Sequence, residues 1–417
     1  MKKILPILII SFFLPLISLN QSLWLDEAIS ANVAKNFSYT EIITEFSPTD
    51  FHPPLYYLFL KSWTTFFGFG EISLRLPSVI FSLITVFLIY KLAGLWPSLF
   101  VAFNPLLIYY SGEARMYSLV VCLITGCIYA LRYKKTFLFN LLSFFCIFTF
   151  YGSIFFFITL SLYFLIKKRF KDIFIYNRGI ILGLIVLSPL LVRQISYSKS
   201  ILLQVGNWSS VLGQTNLKNL LLIFTKFTSG RLSFYPKIYY YLVSAVWSIY
   251  CFWTIFKEGT AHKFYSFIFV FVLIIASIAS IFVPMLQYFR FLYLIPVLSL
   301  IISKDQKVIP IGFLAFSLVY LLVPQFHRED WRSLSLSLQP SDNVYLISSV
   351  SDPFTYYRPY FEFRNLKELK FSENKVTIIP YATDIHGIDY KKALEDQQYH
   401  FVSQSDFRGL FYQTWSK

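Results

Sequence analysis

Long apolar segments separated by short polar stretches fill the first three quarters of the chain. About eleven of them suit membrane-spanning helices, because roughly 20 apolar residues are needed to cross a bilayer. They cover residues 5–19, 74–90, 97–110, 116–131, 137–151, 154–166, 179–191, 238–256, 264–282, 291–303 and 308–323. The pattern therefore predicts a mainly α, polytopic bundle of transmembrane helices.

The pattern changes after Pro324, where hydrophilic residues dominate. Strand-like and helix-like runs alternate there, near 330–338, 343–347, 375–379 and 390–396. Residues 325–417 are therefore predicted to form a small α/β domain, since about ninety residues lie within the usual size range for domains. Residues 1–324 would form the transmembrane domain, with a long first loop at 20–73.

Basic residues set the predicted orientation, because Lys and Arg collect in the cytoplasmic loops of membrane proteins. With the N-terminus inside, every inner loop is basic. These loops hold Lys91, Arg132, Lys134, Lys135, Lys167, Lys168, Arg169, Lys171, Lys257, Lys263, Lys304 and Lys307. The outer side then receives 20–73, 111–115, 194–237 and the C-terminal domain. Residues 1–19 resemble a signal peptide but no cleavage site follows, so an uncleaved first span is expected.

Composition agrees with a plasma (inner) membrane protein. The 417 residues are 56% hydrophobic and 20% aromatic, with a net charge of +15, whereas soluble domains are about 45–50% apolar. The Lys and Arg residues lie between the spans and do not form a basic patch, so no nucleic-acid partner is expected. Four cysteines lie in apolar segments without metal-site spacing and are predicted to be packing residues: Cys122, Cys127, Cys146 and Cys251.

Acidic residues are scarce, at 22 Asp and Glu, and none falls within a predicted span. The outer loops before the C-terminal domain hold Asp26, Glu27, Glu41, Glu45, Asp50, Glu71 and Glu113. Ion-coupled transporters usually carry carboxylates near the membrane midplane. The distribution therefore favours chemistry at the outer surface over transport.

The first loop is too long for a simple connection. Its pattern predicts an amphipathic helix at 28–36 and an interfacial helix at 55–67. Pro53 and Pro54 prevent a helix just before the second of these and restrict His52 to an extended geometry. We expect Asp50, His52 and Tyr56 to be the substrate-positioning residues.

Asp26 and Glu27 are candidate catalytic residues. A carboxylate at the lipid–water boundary is partly desolvated, which favours a general base that takes a proton from an acceptor hydroxyl. The alternative is structural, since Asp26 followed by Glu27 also fits the start of a helix. Glu113 is a third candidate, because its turn faces the same side as Asp26. Its alternative is a turn acid paired with Arg115.

Cations on the outer side form the next group of candidates, because the positive-inside rule predicts few of them there. They are Arg75, Arg115, Arg193, Lys226, Arg231 and Arg290. A phosphate leaving group needs one or two cations, and Arg offers a matching fork of donors. Arg75, Arg115, Arg231 and Arg290 are the predicted phosphate ligands; the alternative is headgroup binding or a local ion pair.

Several of these motifs resemble a known family. Asp26-Glu27, followed by Asp50-x-His52-Pro53-Pro54-Leu55, resembles the protein O-mannosyltransferases, which are GT-C membrane glycosyltransferases of the family 39 type. Other motifs look more like the bacterial branch, which includes the lipid A aminoarabinose transferases: Tyr56-Tyr57, Glu71-x-x-x-Arg75-Leu76, Glu113-Ala114-Arg115-x-Tyr117, Tyr288-Phe289-Arg290-Phe291 and Glu329-Asp330-Trp331-Arg332. The resemblance is strong over 20–120, moderate to 335 and weak beyond.

The resemblance implies a cell-envelope enzyme with an outward-facing site and a polyprenyl-phosphate-linked sugar donor. It also implies inversion at the anomeric carbon, with Asp26 as the base and Glu113 as the acid of the second outer turn. The acceptor is left open between lipid, glycan and protein. The mannosyltransferases continue the motif with Gly-Lys where this chain has Tyr56-Tyr57, which speaks against a protein acceptor.

Two other classes compete with the enzyme. A flippase or transporter of lipid-linked sugars would explain the spans, but it would favour midplane ionisable residues or paired half-repeats. A receptor-like scaffold would make Asp26 replaceable. Whether a divalent metal ion takes part stays open, because Asp26, Asp50, His52 and Glu113 offer hard ligands without diagnostic spacing.

Overall fold

The computed structural model describes residues 4–204, 212–258, 262–302 and 306–417, and most of them are helical. The α-helices of six or more residues are Leu5–Leu16, Leu25–Asn36, Leu55–Phe67, Glu71–Ala93, Leu95–Ala102, Pro105–Ser111, Tyr117–Arg132, Thr136–Thr149, Ile154–Ile166, Phe170–Gln204, Leu217–Ser229, Lys237–Glu258, Lys263–Phe282, Leu294–Ser299, Val308–Leu322, Trp331–Ser337, Asp352–Tyr357 and Tyr390–Asp396. The predicted mainly α class is confirmed.

Several helices have the length and composition of membrane spans. Within the described residues, four helices are long and apolar enough to cross a membrane: Glu71–Ala93, Phe170–Ser200, Lys237–Lys257 and Lys263–Phe282. Shorter apolar helices lie beside them, including Leu5–Leu16 and Val308–Leu322. These helices make the chain an integral membrane protein. The four cysteines are free thiols within this bundle.

The segment 97–110, predicted as one span, is broken into the helices Leu95–Ala102 and Pro105–Ser111. Pro105 has no N–H for a continuous helix, and Asn104 begins the second helix. The Asn104 Oδ1 accepts hydrogen bonds from the N–H groups of Leu106 and Leu107, both at 3.1 Å. Its Nδ2 donates to the Phe227 carbonyl at 2.8 Å, so one side chain caps a helix and joins distant segments.

The first loop contains both helices that its sequence predicts. Leu55–Phe67 begins directly after Pro54, as the proline pair requires. Leu25–Asn36 begins three residues before the predicted start at residue 28. Asp26 and Glu27 are therefore inside its first turn, where acidic side chains interact favourably with the helix dipole.

The C-terminal residues form a mixed five-stranded sheet of β1 (Val344–Leu346), β2 (Arg364–Asn365), β3 (Lys375–Ile378), β4 (His400–Phe407) and β5 (Leu410–Ser416). The strand order is β2-β1-β3-β5-β4. Strand β1 pairs in parallel with β2 and β3, and β5 pairs antiparallel with β3 and β4. The two predicted strands are β1 and β3; the β4–β5 hairpin was not predicted.

This sheet region is attached to the first loop by side-chain contacts. The Tyr357 hydroxyl accepts from the Leu23 N–H at 2.8 Å, and Arg332 Nη2 lies 2.6 Å from Glu71 Oε1. Asn32 Nδ2 donates to Asp352 Oδ1 at 3.0 Å. The C-terminal region therefore contacts the helix that carries Asp26 and both ends of the first loop.

Asn104→Ala is expected to lower the midpoint of thermal unfolding in detergent. The substitution removes the cap, typically about 1 kcal/mol, and the fully buried bond to the Phe227 carbonyl. Asn374→Ala, at an exposed position, is the matched control and should leave the midpoint unchanged. Equal midpoints for both variants would show that the break at Asn104 is not held by its side chain.

Candidate active site

Asp26 lies at the loop end of the helix bundle, beside Arg115. The helix N-cap is Trp24, which makes no side-chain cap, so the alternative role of Asp26 as a cap is not what the structure shows. Its side chain is 33% exposed, and Oδ2 lies 3.8 Å from Arg115 Nη2. The carboxylate is thus accessible to a ligand and has a cation next to it.

Glu27, the residue after Asp26, forms a fully buried ion pair with Arg75. Arg75 donates from Nε and Nη2 to the Glu27 carboxylate at 2.7 and 2.6 Å. Its other N–H groups reach three carbonyls, those of Leu19, Gln21 and Ser22. All five guanidinium donors therefore have protein acceptors, which leaves Arg75 none for the phosphate that the sequence assigned to it.

The charge state of Glu27 follows from these contacts. Burial alone would raise the pKa of its carboxyl, but the charges of Arg75 and Arg328 outweigh burial and hold the pKa below its ordinary value. The Ala114 N–H donates to Oε1 at 2.8 Å. Glu27, a predicted catalytic residue, is thus a buried anion. It joins the first loop to the turn at residues 111–115.

Arg328 is a central residue that the sequence analysis missed. It is buried, and its guanidinium lies 3.4 Å from Glu113 Oε2 and 3.8 Å from Glu27 Oε2. It also donates to the Gly112 carbonyl at 2.6 Å. The available signal was its place directly before the Glu329-Asp330-Trp331-Arg332 motif, which follows the last apolar helix.

Glu113 differs from Glu27 in its environment. It is fully buried, and within the described residues its Oε1 has no hydrogen-bond partner. Burial raises the pKa of its carboxyl to about 7, because the charge of Arg328 compensates only in part and Glu27 and Asp26 repel the anion. Glu27 is therefore ionised near neutral pH and Glu113 only partly so, and pKa values pushed apart in this way are found at functional sites.

Arg115 joins Asp26 to the Asp50–His52 motif. Its Nη1 donates to the Tyr57 hydroxyl at 3.2 Å, and its Nη2 lies 3.4 Å from His52 Nε2. The Tyr57 hydroxyl donates to Asp50 Oδ2 at 2.7 Å, and His52 Nδ1 lies 3.4 Å from Asp50 Oδ1. These residues form one polar cluster beside Asp26.

Tyr57, and not Tyr56, makes the polar contacts of this cluster. Tyr56, the predicted positioning residue, is 1% exposed and packs in the main core of the helix bundle. Consecutive residues of a helix point about 100° apart, so only one of the pair faces the cluster. The sequence placed both tyrosines after Pro54 without showing which one faces the site.

Two further predicted phosphate ligands lie beyond Glu113. Arg231 Nη1 donates to the Tyr109 hydroxyl at 2.9 Å, and its guanidinium lies over the ring of Tyr109, which Arg328 also contacts. Arg290 lies next to Phe289, whose ring packs 5.6 Å from that of Tyr117. Arg115 and Arg231 thus lie near Asp26 and Glu113, whereas Arg290 is connected to this cluster through the packing of Phe289 on Tyr117.

The C-terminal region contributes a further, partly buried acid, Glu329. Its carboxylate accepts from the Trp331 Nε1 at 3.1 Å and from the Tyr381 hydroxyl at 3.2 Å. Burial raises the pKa of Glu329, and the nearby charge of Asp26 raises it further. The region after the last span therefore covers the site as well as holding the loop.

Gln194 holds the backbone around the Asp50–His52 motif by two hydrogen bonds, here called the Gln194 clamp. Its Nε2 donates to the carbonyls of Ser47 and His52 at 2.8 and 3.1 Å, and its Oε1 accepts from the Tyr151 hydroxyl at 2.6 Å. The side chain is buried. The C-terminal part of the long helix Phe170–Gln204 thus fixes the loop that carries His52.

The acids do not converge into a metal site within the described parts of the chain, where no group of three or more His, Cys, Asp and Glu side chains could hold an ion. Asp50 binds Tyr57 and His52, and Glu27 binds Arg75. These donors are engaged by protein groups, so the residues do not fit the divalent ion that the sequence left open.

Comparison with known proteins places this geometry in a known fold. No protein-family model matches the chain, and no curated protein is similar to it in sequence. Two solved structures match over almost the full length: ArnT from Cupriavidus metallidurans in the apo state and the same protein bound to undecaprenyl phosphate. The TM-scores are 0.55 and 0.54, at 10% and 11% identity.

The chain has the fold of ArnT. The alignment covers 99% of this chain and 97% of the ArnT chain. At this identity the likeness concerns the fold alone. It agrees with the GT-C architecture that the resemblance in residues 20–120 implied.

Gln194→Leu is expected to speed amide hydrogen exchange in residues 47–54 by about 10- to 100-fold. The substitution removes both bonds to the loop and leaves the Tyr151 hydroxyl and two carbonyls unpaired, at about 1–3 kcal/mol for each buried group. Exchange mass spectrometry measures this directly. Gln339→Leu, at an exposed position, is the control; equal exchange in the two variants would contradict the clamp.

Glu113→Gln is expected to stabilise the protein more at pH 8 than at pH 5. The folded pKa of about 7 lies above the ordinary value of 4.5, so the folded state binds the proton more tightly than the unfolded state. Stability is therefore lost as pH rises from about 4.5 to 7. The difference should be on the order of 2–3 kcal/mol, since one pKa unit corresponds to about 1.4 kcal/mol.

The measurement is the unfolding midpoint of both proteins in detergent at the two pH values. Glu362→Gln, which replaces an exposed carboxylate, is the matched control. A gain for Glu113→Gln that is the same at pH 5 and pH 8 would show that Glu113 is ionised throughout this range.

Proposed function

We propose that this protein is an integral membrane glycosyltransferase that moves a sugar from a polyprenyl-phosphate donor to an acceptor hydroxyl at the outer face. The observation that carries the proposal is the exposure of one acid within a cationic cluster. Asp26 is 33% exposed beside Arg115, whereas Glu27 and Glu113 are fully buried. The same fold in ArnT binds undecaprenyl phosphate.

Asp26 acts as the general base. It takes the proton from the acceptor hydroxyl, and the acceptor oxygen forms a bond to the anomeric carbon as the bond from that carbon to the phosphate oxygen breaks. The phosphate leaves with the bonding electron pair on the opposite face of the sugar, so the configuration inverts. Inverting glycosidases use the same opposed geometry.

The cations around the cluster replace a protonating acid. Arg115, Arg231 and Arg290 receive the charge that develops on the leaving phosphate, because preorganised donors in a partly dry site stabilise such charge strongly. Asp50, His52 and Tyr57 orient Arg115. Glu27 and Arg75 are positioning residues that act through the helix Leu25–Asn36. Glu113, buried and with a pKa of about 7, is partly protonated at neutral pH and sets the charge next to the donor site.

The orientation and domain division belong to the same proposal. The chain has about eleven spans with the N-terminus in the cytoplasm, and residues 325–417 form an extracytoplasmic domain above residues 1–324. Charge distribution supports this orientation, because the basic residues collect on one side of the spans. The C-terminal domain covers Asp26 through Glu329 and is where the acceptor is selected.

Asp26→Asn is expected to lower sugar transfer by about 10²- to 10⁴-fold, the range that a positioned base contributes. The measurement is transfer of radiolabelled sugar from undecaprenyl-phosphate donors in membranes that contain equal amounts of inserted protein. Asp396→Asn, which changes an exposed carboxylate of the C-terminal region, should transfer as fast as the wild type.

The other outcomes separate the alternatives. Equal transfer by wild type and Asp26→Asn would move the base to Glu113 or Asp50. No transfer by the wild type with any sugar donor, together with movement of labelled lipid in a flipping assay, would favour a transporter of lipid-linked sugars.

A further inference from the structure

Three cations lie close together where the helices Leu217–Ser229 and Lys237–Glu258 meet. Lys226 Nζ donates to the Leu232 carbonyl at 3.3 Å and to the Tyr240 hydroxyl at 2.9 Å. Lys237 Nζ donates to Ser233 Oγ at 2.6 Å. Within the described residues, neither lysine nor Arg231 forms an ion pair with an acid.

This arrangement is electrostatically unfavourable without a further partner. Burial and the charges of Arg231 and Lys237 together lower the pKa of Lys226 to about 8. Like charges held together cost free energy that an anion would recover, because opposite charges within about 4–6 Å favour the charged form. The cluster therefore has the properties of an anion site.

The surroundings indicate where the anion comes from. The first turns of Lys237–Glu258 expose Ile238, Tyr239, Tyr241 and Leu242 by 55–60%, and this helix has the composition of a membrane span. Tyr235 is 82% exposed, and Lys237 Nζ lies 4.2 Å from the centre of its ring. Exposed aromatic residues next to a span mark the membrane interface, so the cluster lies at the level of lipid headgroups.

The cluster is separate from the Asp26 centre but next to it. Arg231 lies between the two, because it contacts Tyr109, and the ring of Tyr109 also packs against Arg328. Arg328 in turn pairs with Glu113 and Glu27. The two lysines contact Leu232, Ser233, Tyr235 and Tyr240, and none of these contacts is with Asp26 or Arg115.

We propose that Lys226 and Lys237, with the exposed side of Arg231, form a second anion site that binds the phosphate group of a lipid in the outer leaflet. The site holds a lipid phosphate beside the transfer centre. Its outward position rests on the orientation given under the proposed function, but lipid binding does not require sugar transfer. A protein without transferase activity would still bind the lipid here.

The test measures lipid binding by the full chain in phosphatidylcholine nanodiscs. Fluorescent phosphatidylglycerol is the probe, and energy transfer from protein tryptophans reports its binding. We expect Lys226→Met with Lys237→Met to weaken this binding about tenfold or more, because each cation near a membrane surface contributes to anionic lipid binding. Lys226→Arg with Lys237→Arg keeps the charges and should restore the wild-type affinity.

Lys218→Met is the matched control, because Lys218 is exposed on the same helix as Lys226. Wild-type affinity in the double Met variant, or an equal loss in Lys218→Met, would overturn the site. A loss in both the Met and the Arg double variants would point to altered folding of the turn and would also overturn the electrostatic assignment.

Competition distinguishes the source of the phosphate. Displacement of the probe by unlabelled phosphatidylglycerol at lower concentration than by undecaprenyl phosphate would support a second site for a phospholipid. The reverse order would make the cluster part of the donor site and would overturn the assignment of a second site. Displacement by millimolar inorganic phosphate alone would overturn the lipid assignment in favour of the free anion.

Discussion

The buried Glu27–Arg75 pair is the contact on which the rest of the site depends. Arg75 belongs to a membrane-length helix, and its five donors bind the Glu27 carboxylate and the carbonyls of Leu19, Gln21 and Ser22. It thus fixes the chain between the first span and the helix Leu25–Asn36. Removal of one partner of such a pair costs about 3–5 kcal/mol, because the other charge is left buried without compensation. The position of Asp26 follows from this anchoring, since Asp26 is the preceding residue of the same helical turn.

The pair also joins three distant parts of the chain around one carboxylate. Glu27 accepts a hydrogen bond from the Ala114 N–H in the turn at residues 111–115. It also lies next to Arg328, which follows the last apolar helix. Arg75 and Arg328 balance the charge of Glu27, whereas Arg328 offsets the burial of Glu113 only in part. Glu27 therefore stays ionised, and Glu113, with a pKa of about 7, is partly protonated at neutral pH. Asp26, which is 33% exposed, therefore lies next to buried charges that are held in place by one another. This arrangement suits a site that must bind a phosphate and still leave one carboxylate free to accept a proton.

Local patterns in the sequence predicted the parts of this site but not how they are joined. The proline pair predicted the start of the helix Leu55–Phe67, and the strand-like runs predicted two of the five strands. Arg328 could not be assigned from spacing, because the residues that its guanidinium contacts lie more than 200 residues away in the chain. The Tyr381 hydroxyl that donates to Glu329 is also distant, at 52 residues. Arg75 appeared as a phosphate ligand because its charge is visible in the sequence, whereas the carbonyls that use its donors are not. The choice of Tyr57 over Tyr56 depends on how the helix is rotated, which only packing decides.

The anomeric configuration of the product tests the central claim most directly. The donor and product sugars can be compared by NMR after a single round of transfer from a polyprenyl-phosphate sugar of known configuration. A base at Asp26 with cations for the leaving phosphate predicts inversion, because the acceptor attacks from the face opposite to the phosphate. Retention of configuration would contradict this mechanism, since it requires a second displacement and a nucleophile that forms a covalent intermediate with the sugar.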